Sequence, residues 1–338
     1  MALLEVRNLR THFYTPDGLV RAVDGVDMVI EKGKTVGIVG ESGSGKSVLN
    51  LTVLGLVPSP PAIVRADKIL FDGQDLRGLP AEELRRLRGN RMAMIFQDPM
   101  TSLNPFLTIG DQIAEPLRIH KRFSARQANQ RVLELLTEVG IPDPARCAAT
   151  YPHEFSGGMR QRAMVAMAIA CEPALLIADE PTTALDVTIQ AQILELMARI
   201  RERHGTTIVL ITHDLGVAAG FCDEIHVMYA GKVVERGPTA EIFANPRHPY
   251  TRALMQSCPR LDDDSRGLFP CIRGVPPDLT RLPTGCSFHP RCDHVIDRCR
   301  QEAPRLERGP SGGNEKACFV ELEAPQSIVT SSRGGKEA

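Results

Sequence analysis

Three short runs of consecutive apolar residues stand out in the hydrophobic pattern of this chain. They span residues 35–39, 175–178 and 207–212, and each consists mostly of aliphatic or β-branched residues. Unbroken runs of this length are typical of parallel strands that are covered on both faces. The pattern therefore predicts the central strands of an α/β sheet.

Between the second and third runs, apolar residues recur at helical spacing, which predicts a helix packed on the sheet. The stripe comprises Ile189, Ile193, Leu196, Met197 and Ile200. Residues 47–56 predict a second helix, and helix formers over 125–139 predict a third. We interpret the stripe as core and not as a functional site.

The connection after the first predicted strand is rich in glycine. It reads Gly40, Glu41, Ser42, Gly43, Ser44, Gly45, Lys46 and Ser47. The glycines let successive backbone amides turn toward an anion in front of a helix N-terminus. Lys46 is then placed for the β- and γ-phosphates of a nucleotide, and Ser47 for Mg²⁺. The alternative is a flexible glycine turn, which the preceding strand and the following helix disfavour.

Two carboxylates, Asp179 and Glu180, follow the second apolar run. Open α/β sheets collect their ligands at the carboxyl ends of their strands. Asp179 suits a Mg²⁺ site, and Glu180 suits a general base that polarises the attacking water. Alone, such a pair is more often a solvated turn, but here it follows a phosphate loop. His213 directly follows the third run, and we expect it to contact the γ-phosphate or the water rather than to be an ordinary surface histidine.

Composition narrows the classes of function. The chain has 338 residues, a net charge of −1 and 4% aromatic residues, with no Trp. It therefore lacks the excess of basic residues and the aromatic side chains for base stacking that are typical of nucleic-acid-binding proteins. Charges at Glu5 and Arg7 argue against a signal peptide, and no apolar run reaches the roughly 18 residues of a membrane span. We expect a soluble or peripheral protein.

Together, these motifs resemble the nucleotide-binding subunit of ATP-binding cassette (ABC) transporters. The resemblance also rests on Gln97, Phe155, Ser156, Gly157, Gly158, Met159, Ala184, Leu185 and Asp186. Met159 stands where the family commonly has glutamine, which matters little because serine and glycine groups make the phosphate contacts. The resemblance implies a P-loop NTPase of ABC type, an α/β fold with a RecA-like parallel sheet, an antiparallel β subdomain and an inserted helical subdomain.

In this family two cassettes pack head to tail with ATP between them. The resemblance therefore implies that Ser156, Gly157 and Gly158 contact ATP held by the partner cassette, and that Asp186 crosses the interface. It implies that Gln97 senses the metal and the attacking water. It also places an aromatic ring on adenine, with Phe13 favoured and Tyr14 close behind. The alternative for either ring is simple packing under the sheet.

Three further segments, 97–105, 178–188 and 245–251, narrow the resemblance to the oligopeptide, dipeptide and nickel branch. Within it, the chain most resembles the first ATPase subunit of bacterial dipeptide permeases. From residue 237 onward the composition shifts to Pro, Cys and Arg. It predicts an irregular extension that cannot form a core of its own and needs another interaction to hold it in place. We predict a core at 1–97 and 160–236, a helical signature subdomain at 98–159, a C-terminal extension at 237–326 and a disordered tail at 327–338.

Four cysteines in the extension are candidates for that interaction, namely Cys286, Cys292, Cys299 and Cys318. Disulfides are disfavoured because nothing exports this chain. Structural zinc is possible, although the usual Cys-x2-Cys knuckles are absent. An iron–sulfur cluster tolerates wider spacings, and the resemblance implies a [4Fe–4S] centre here. Unliganded thiols stay a third possibility, and Cys258 and Cys271 are nearby substitutes as ligands.

The predicted function is ATP hydrolysis that powers the import of dipeptides or other short peptides. The resemblance implies ATP and Mg²⁺ as cofactors, a second ATPase subunit that is a paralogue, two transmembrane permease subunits and a periplasmic or extracellular peptide-binding protein. It places the chain peripherally at the cytoplasmic face of the bacterial inner membrane. Alternative cargoes are oligopeptides, glutathione, nickel and haem precursors. Rival classes are a soluble cassette ATPase acting on nucleic acid or ribosomes and a non-hydrolysing regulator, against which Glu180 argues.

Overall fold

The computed structural model describes residues 1–183, 185–257, 272–308 and 313–323. Its strands are β1 (Ala2–Thr15), β2 (Gly18–Glu31), β3 (Thr35–Val39), β4 (Ala62–Arg65), β5 (Lys68–Phe71), β6 (Gln74–Asp75), β7 (Met92–Ile95), β8 (Leu175–Asp179), β9 (Thr207–Thr212), β10 (Glu224–Tyr229), β11 (Lys232–Pro238), β12 (Glu307–Arg308) and β13 (Glu315–Lys316). Its helices are α1 (Lys46–Val53), α2 (Ala81–Leu87), α3 (Pro99–Ser102), α4 (Ile109–His120), α5 (Ala125–Glu138), α6 (Pro144–Ala148), α7 (Gly157–Ile169), α8 (Val187–His204), α9 (Leu215–Phe221), α10 (Thr239–Ala244), α11 (Pro249–Gln256) and α12 (Asp297–Gln301). The predicted tail at 327–338, Cys258 and Cys271 lie outside the described residues.

The main sheet has eight strands in the order β12-β13-β11-β10-β3-β9-β8-β7. Its five consecutive strands from β10 to β7 pair in parallel. All residues of β3, β8 and β9 are buried, as expected for strands that are covered on both faces. The three predicted central strands are therefore confirmed.

Two hydrophobic cores lie on opposite faces of this sheet. Along β9, Ile208 and Leu210 belong to one core, and Val209 and Ile211 belong to the other. The alternation follows from the two-residue period of a strand. A second sheet, antiparallel and built around the long β1–β2 pair, packs with the second core. The fold thus combines a parallel α/β sheet with an antiparallel β unit.

The predicted helices are present, with bounds that differ from the apolar stripes. Helix α1 ends at Val53, because Gly55 takes a left-handed conformation with φ of +63° that terminates the helix. Helix α8 extends beyond its stripe at both ends, from the cap at Asp186 to Gly205. Helix α5 begins with a capping box between Ser124 and Gln127. Apolar periodicity marks only the buried part of a helix, and caps decide where it ends.

The C-terminal extension is more regular than its composition predicts. Strand β13 pairs with β11 and so extends the edge of the main sheet, and β12 pairs with β13. Across this edge, Arg236 Nη2 and Glu315 Oε2 form an ion pair at 2.6 Å. The sequence predicts that the cysteines attach the extension, whereas backbone pairing with the core sheet already attaches it. Among the described residues, no helix has the length and apolar content needed to cross a membrane.

Candidate functional site

The glycine-rich loop connects β3 to α1 in a conformation that only glycine accepts at Gly45. That residue has φ of +101°, and a Cβ there would collide with the carbonyl oxygen of Ala22. A Cβ at Gly40 would likewise collide with the carbonyl oxygen of Met228. Among the described residues, the Ser44 hydroxyl is buried without a hydrogen-bond partner. A narrow loop with a buried spare hydroxyl fits a phosphate ligand.

Lys46 lies at the start of α1 and points back along the loop. Its Nζ donates to the carbonyl oxygens of Gly40 at 2.8 Å and Glu41 at 2.9 Å. Burial lowers the pKa of Lys46, and the carboxylates of Glu180, Asp179 and Glu41 oppose that effect. A buried ammonium held by carbonyl groups alone is positioned to exchange them for phosphate oxygens.

Ser47 and Asp179 meet across the gap between α1 and β8. The Ser47 hydroxyl donates to Asp179 Oδ1 at 3.0 Å. Burial raises the pKa of Asp179, although the bond from Ser47 and the charge of Lys46 oppose the rise. Hydroxyl and carboxylate oxygens are the hard ligands that Mg²⁺ prefers, so the pair fits a magnesium site.

Glu180 is the centre of a polar cluster at the end of β8. Gln97 Nε2 and the Thr183 hydroxyl both donate to Glu180 Oε2, at 3.1 and 2.8 Å. His213 Nδ1 lies 3.3 Å from Glu180 Oε1. The backbone of Glu180 has φ of +46°, a costly conformation for a residue with a side chain. Such strain is characteristic of functional sites and here aims the carboxylate at the same edge as Gln97 and His213.

Sheet order explains why these residues meet. The strands β3, β9, β8 and β7 are adjacent and parallel, so their carboxyl ends share one edge. The phosphate loop follows β3, His213 follows β9, Glu180 follows β8 and Gln97 follows β7. The arrangement provides cation and amide donors for phosphate, oxygen ligands for a metal and a carboxylate with two partners for water.

The signature residues lie apart from this cluster. Ser156 is exposed and caps α7, where its Oγ accepts from the Met159 amide at 3.3 Å. Gly157 is also exposed, and Gly158 faces Ile189 on α8. The structure thus presents this helix N-terminus to the surface, where the Ser156 hydroxyl serves as a helix cap.

The other predicted site residues are Asp186 and the two candidate rings for adenine stacking, Phe13 and Tyr14. Asp186 is exposed and caps α8, with its Oδ1 accepting from the Ile189 amide at 2.9 Å. Phe13 is half-buried on β1, opposite Val20 of β2. Tyr14 follows it on the same strand with 61% of its surface exposed. Exposure makes Tyr14 the freer ring, and the choice between the two stays a prediction.

Sequence reasoning missed two residues that contact the phosphate loop from the C-terminal part of the chain. Arg291 forms a two-pronged ion pair with the side chain of Glu41, with Nη1–Oε2 at 2.6 Å and Nη2–Oε1 at 2.9 Å. The Glu41 amide donates to the Tyr250 hydroxyl at 2.8 Å. The segment around Tyr250 carried a family resemblance, but no local signal connected either residue to the loop.

The four cysteines of the extension lie within electrostatic reach of one another. Burial raises the pKa of Cys292 to about 11, and the other three thiols add to the rise. Burial likewise raises the pKa of Cys286 and of Cys318, each with a contribution from the Cys299 thiol. Within the described ranges, however, no group of three or more His, Cys, Asp or Glu residues could hold a metal ion. Neither the zinc alternative nor the iron–sulfur centre therefore finds support among these residues.

Comparison with protein families gives two matches along the chain. The ABC transporter family matches residues 23–183, which include the phosphate loop, the signature and the acidic pair. The oligopeptide/dipeptide transporter C-terminal region matches residues 234–299. Together with relatives about 50% identical along most of its length, these matches show that the chain belongs to the ABC transporter ATPases. The resemblance to this family and to its oligopeptide and dipeptide branch is confirmed, and the chain is an ATPase that uses ATP and Mg²⁺.

Individual relatives agree along most of the chain. The dipeptide transport ATP-binding protein DppD of Escherichia coli K12 is 50% identical over 323 residues, which cover 96% of this chain and 98% of DppD. The oligopeptide transport ATP-binding protein OppD of Salmonella typhimurium LT2 is 48% identical, covering 95% of this chain and 94% of OppD. Among solved structures, the dimeric ATP-binding cassette MJ0796 with ADP and Pi matches at a TM-score of 0.63 and 29% identity, covering 70% of this chain and 98% of that cassette.

Proposed function

We propose that this ABC ATPase powers the import of dipeptides or other short peptides. The observation that carries the proposal is the match of residues 234–299 to the oligopeptide/dipeptide transporter C-terminal region. The same chain brings Ser47 to Asp179 and Gln97 to Glu180 at the edge of the main sheet. The names of relatives about 50% identical, which are dipeptide and peptide transport proteins, support the same class of cargo.

We assign the catalytic roles from the contacts of this chain. Lys46 and the amides of the phosphate loop stabilise the charge of the γ-phosphate. Ser47 and Asp179 hold Mg²⁺, which neutralises phosphate charge when it is bound. Glu180 accepts a proton from the attacking water, while Gln97 and His213 orient that water. The hydrogen bonds to Glu180 from Gln97 and Thr183 support this role, because they fix the carboxylate before water arrives.

The exposed signature suits a second cassette. In this proposal Ser156, Gly157 and Gly158 contact ATP held by a partner ATPase subunit, a paralogue, and Asp186 crosses the interface. Adenine stacks on Phe13 or Tyr14. The exposed helix N-terminus at Ser156 supports the arrangement, because backbone amides at such a position can bind an anion.

The assembly proposed here also includes two transmembrane permease subunits and a periplasmic or extracellular peptide-binding protein. The chain would work at the cytoplasmic face of the bacterial inner membrane as a peripheral subunit. Within it, residues 1–97 and 160–236 form the nucleotide-binding core, 98–159 the helical subdomain and 237–326 the C-terminal extension. The four helices α3–α6, which lie between β7 and α7, support the second of these divisions.

Replacing Glu180 by Gln tests the catalytic assignment in the assembled transporter. We expect ATP binding to persist and turnover to fall about 1,000-fold, because Gln keeps the shape but cannot accept the proton. Phosphate release and peptide uptake are both measured. Glu195→Gln, an exposed acid paired with Arg199 on α8, is the control and should retain full activity. Full turnover in Glu180→Gln would reject the assigned base, and uptake of nickel or glutathione instead of peptides would reject the cargo.

We also propose that Cys286, Cys292, Cys299 and Cys318 hold a [4Fe–4S] cluster with a structural role. Two observations support the proposal. The other three thiols raise the pKa of Cys292. Backbone amides also donate to two of the sulfurs, His294 N to Cys292 and Val320 N to Cys318, both at 3.4 Å.

Anaerobic purification tests the cluster directly. We expect about four irons and four sulfides per chain with visible absorbance that Cys299→Ser removes. Cys147→Ser lies in α6, far along the chain from the quartet, and should leave the iron content unchanged. Stoichiometric zinc, or no metal at all, would contradict the proposal.

A further inference from the structure

An ion pair connects the cysteine-rich extension directly to the phosphate loop. The guanidinium of Arg291 contacts both carboxylate oxygens of Glu41, at 2.6 and 2.9 Å, across 250 positions of sequence. The Arg291 side chain is only 6% exposed, and that of Glu41 is 23% exposed. The geometry is the two-pronged arrangement in which an arginine binds a carboxylate most strongly.

Arg291 is held in place independently of Glu41. Its Nε donates to the carbonyl oxygen of Arg273 at 2.8 Å. Its guanidinium also lies 5.8 Å from the centre of the Tyr229 ring, and Nη1 is 3.4 Å from the Tyr229 hydroxyl. Because these contacts fix the side chain, little rotamer entropy remains to be lost when it meets the loop.

Glu41 is the second residue of the phosphate loop and is fixed at its backbone as well. Its amide donates to the hydroxyl of the fully buried Tyr250, and its carbonyl oxygen accepts from Lys46 at 2.9 Å. Tyr250 itself packs against Tyr229, with ring centres 4.6 Å apart, and against Phe288 of the extension at 5.3 Å. One residue of the loop is thus joined to the phosphate-binding lysine and to the C-terminal part of the chain.

The charge of Glu41 poses an electrostatic problem for a nucleotide site. An unpaired carboxylate in the loop would repel the triphosphate, and water screens that repulsion poorly in a partly buried site. A guanidinium on the carboxylate removes the net negative charge. We propose that Arg291 is a positioning residue for ATP binding, which neutralises the charge of Glu41 in the phosphate loop, so that the C-terminal extension sets nucleotide affinity.

This inference rests on the phosphate-loop role proposed above, and a double-mutant cycle tests it. The full chain is titrated with a fluorescent non-hydrolysable ATP analogue in the presence of Mg²⁺. We expect Arg291→Met to raise the Kd about tenfold, because it leaves Glu41 unpaired beside the phosphates. Adding Glu41→Gln to that variant should return the Kd to within about threefold of the unmodified chain, because the offending charge is gone.

Control variants separate charge from structure. Arg273→Met removes an exposed guanidinium of the same extension, which pairs with exposed Asp293 at 3.4 Å in the described part of the chain, and should leave the Kd unchanged. Glu41→Gln alone should bind at least as tightly as the unmodified chain, since it leaves the positive charge of Arg291 near the phosphates. This single variant keeps the test decisive if Arg291→Met does not fold.

In the assembled transporter, Arg291→Met should raise the KM for ATP about tenfold and change kcat at saturating ATP by less than about twofold. A double variant as weak as Arg291→Met, an unchanged Kd in Arg291→Met, or weaker binding in Glu41→Gln alone would each overturn the inference. If the unmodified chain fails to bind nucleotide, the proposed function itself fails. These outcomes are distinguishable in one set of titrations.

Discussion

Two glycine-rich helix N-termini in this molecule differ in their burial and in the contacts that the rest of the chain makes with them. The loop before α1 is buried at Ser44 and Lys46, and its lysine and serine already contact Glu41 and Asp179. The start of α7 at Ser156 and Gly157 is exposed, and the Ser156 hydroxyl only caps its own helix. Both present backbone amides suited to an anion.

The difference indicates which of the two helix N-termini binds nucleotide without a second subunit. The first start is assembled within one chain, because β3, β8 and α1 bring its partners together. The second is preformed by its cap, and in the described part of the chain its Ser156 hydroxyl is bonded only to the Met159 amide. We infer that the first binds nucleotide by itself and that the second acts only when another subunit brings nucleotide to it.

The sharpest test of this comparison pairs Lys46→Ala with Ser156→Arg. In the isolated chain, Lys46→Ala should weaken ATP binding roughly 10- to 100-fold, because a charge-assisted contact is lost. Ser156→Arg should leave that binding within about twofold. In the assembled transporter both variants should reduce ATP turnover by about 100-fold or more. Impaired nucleotide binding by isolated Ser156→Arg would remove the distinction between the two helix starts.

A smaller effect is expected on stability from Gly45→Ala and Gly157→Ala. At Gly45 the new methyl meets the backbone oxygen of Ala22 at a φ of +101°, so we expect a loss of about 2 kcal/mol or more in the free energy of unfolding. At Gly157 the nearest atom is a Leu185 methyl at 3.9 Å, and alanine favours a helix. The change there should lie between zero and a gain of about 1 kcal/mol. Urea unfolding measures both, and equal losses would contradict the comparison.

The smallest effect concerns pH. Burial raises the pKa of Asp179 above its ordinary value of 3.8, so between that value and the folded pKa the folded chain binds more protons than the unfolded chain. Stability should therefore fall as pH rises through this window. Asp179→Asn removes the fall, so it should be more stable than the unmodified chain at pH 7 and no more stable at pH 3.

Urea unfolding of the metal-free protein at several pH values measures this difference. The control is Asp186→Asn, which replaces an exposed cap by another good cap and should give no change in pH dependence. An Asp179→Asn variant that is less stable at pH 7 than at pH 3, relative to the unmodified chain, would contradict the assigned burial cost.

Much of the nucleotide edge was predictable from short segments. The strands β3, β8 and β9 appear as unbroken apolar runs. Asp179 and His213 lie at the carboxyl ends of β8 and β9, and Ser47 ends the loop that follows β3. Parallel strands in one sheet must present these ends together, so the convergence of the loop, Glu180 and His213 followed from local patterns and one topological rule.

Other features depended on information that no short segment holds. Helix α1 ends at Val53, short of the predicted limit at residue 56, because of the left-handed Gly55, and α8 begins after its cap Asp186, which precedes the apolar stripe. The pairing of β13 with β11 involves two residues per strand, too few to create a period in the sequence. The composition of the extension therefore predicted irregularity where the fold has a sheet edge.

The sequence by itself determined the kind of chemistry, because strand periodicity, the glycine-rich loop and the acidic pair are encoded within a few neighbouring residues. Only the tertiary structure decided which distant side chains complete the site. Arg291 and Tyr250 reach Glu41 from 250 and 209 positions away, since the extension packs back over the loop. Contacts of that separation depend on the path of the whole chain, and the local pattern around each residue carries no record of its partner.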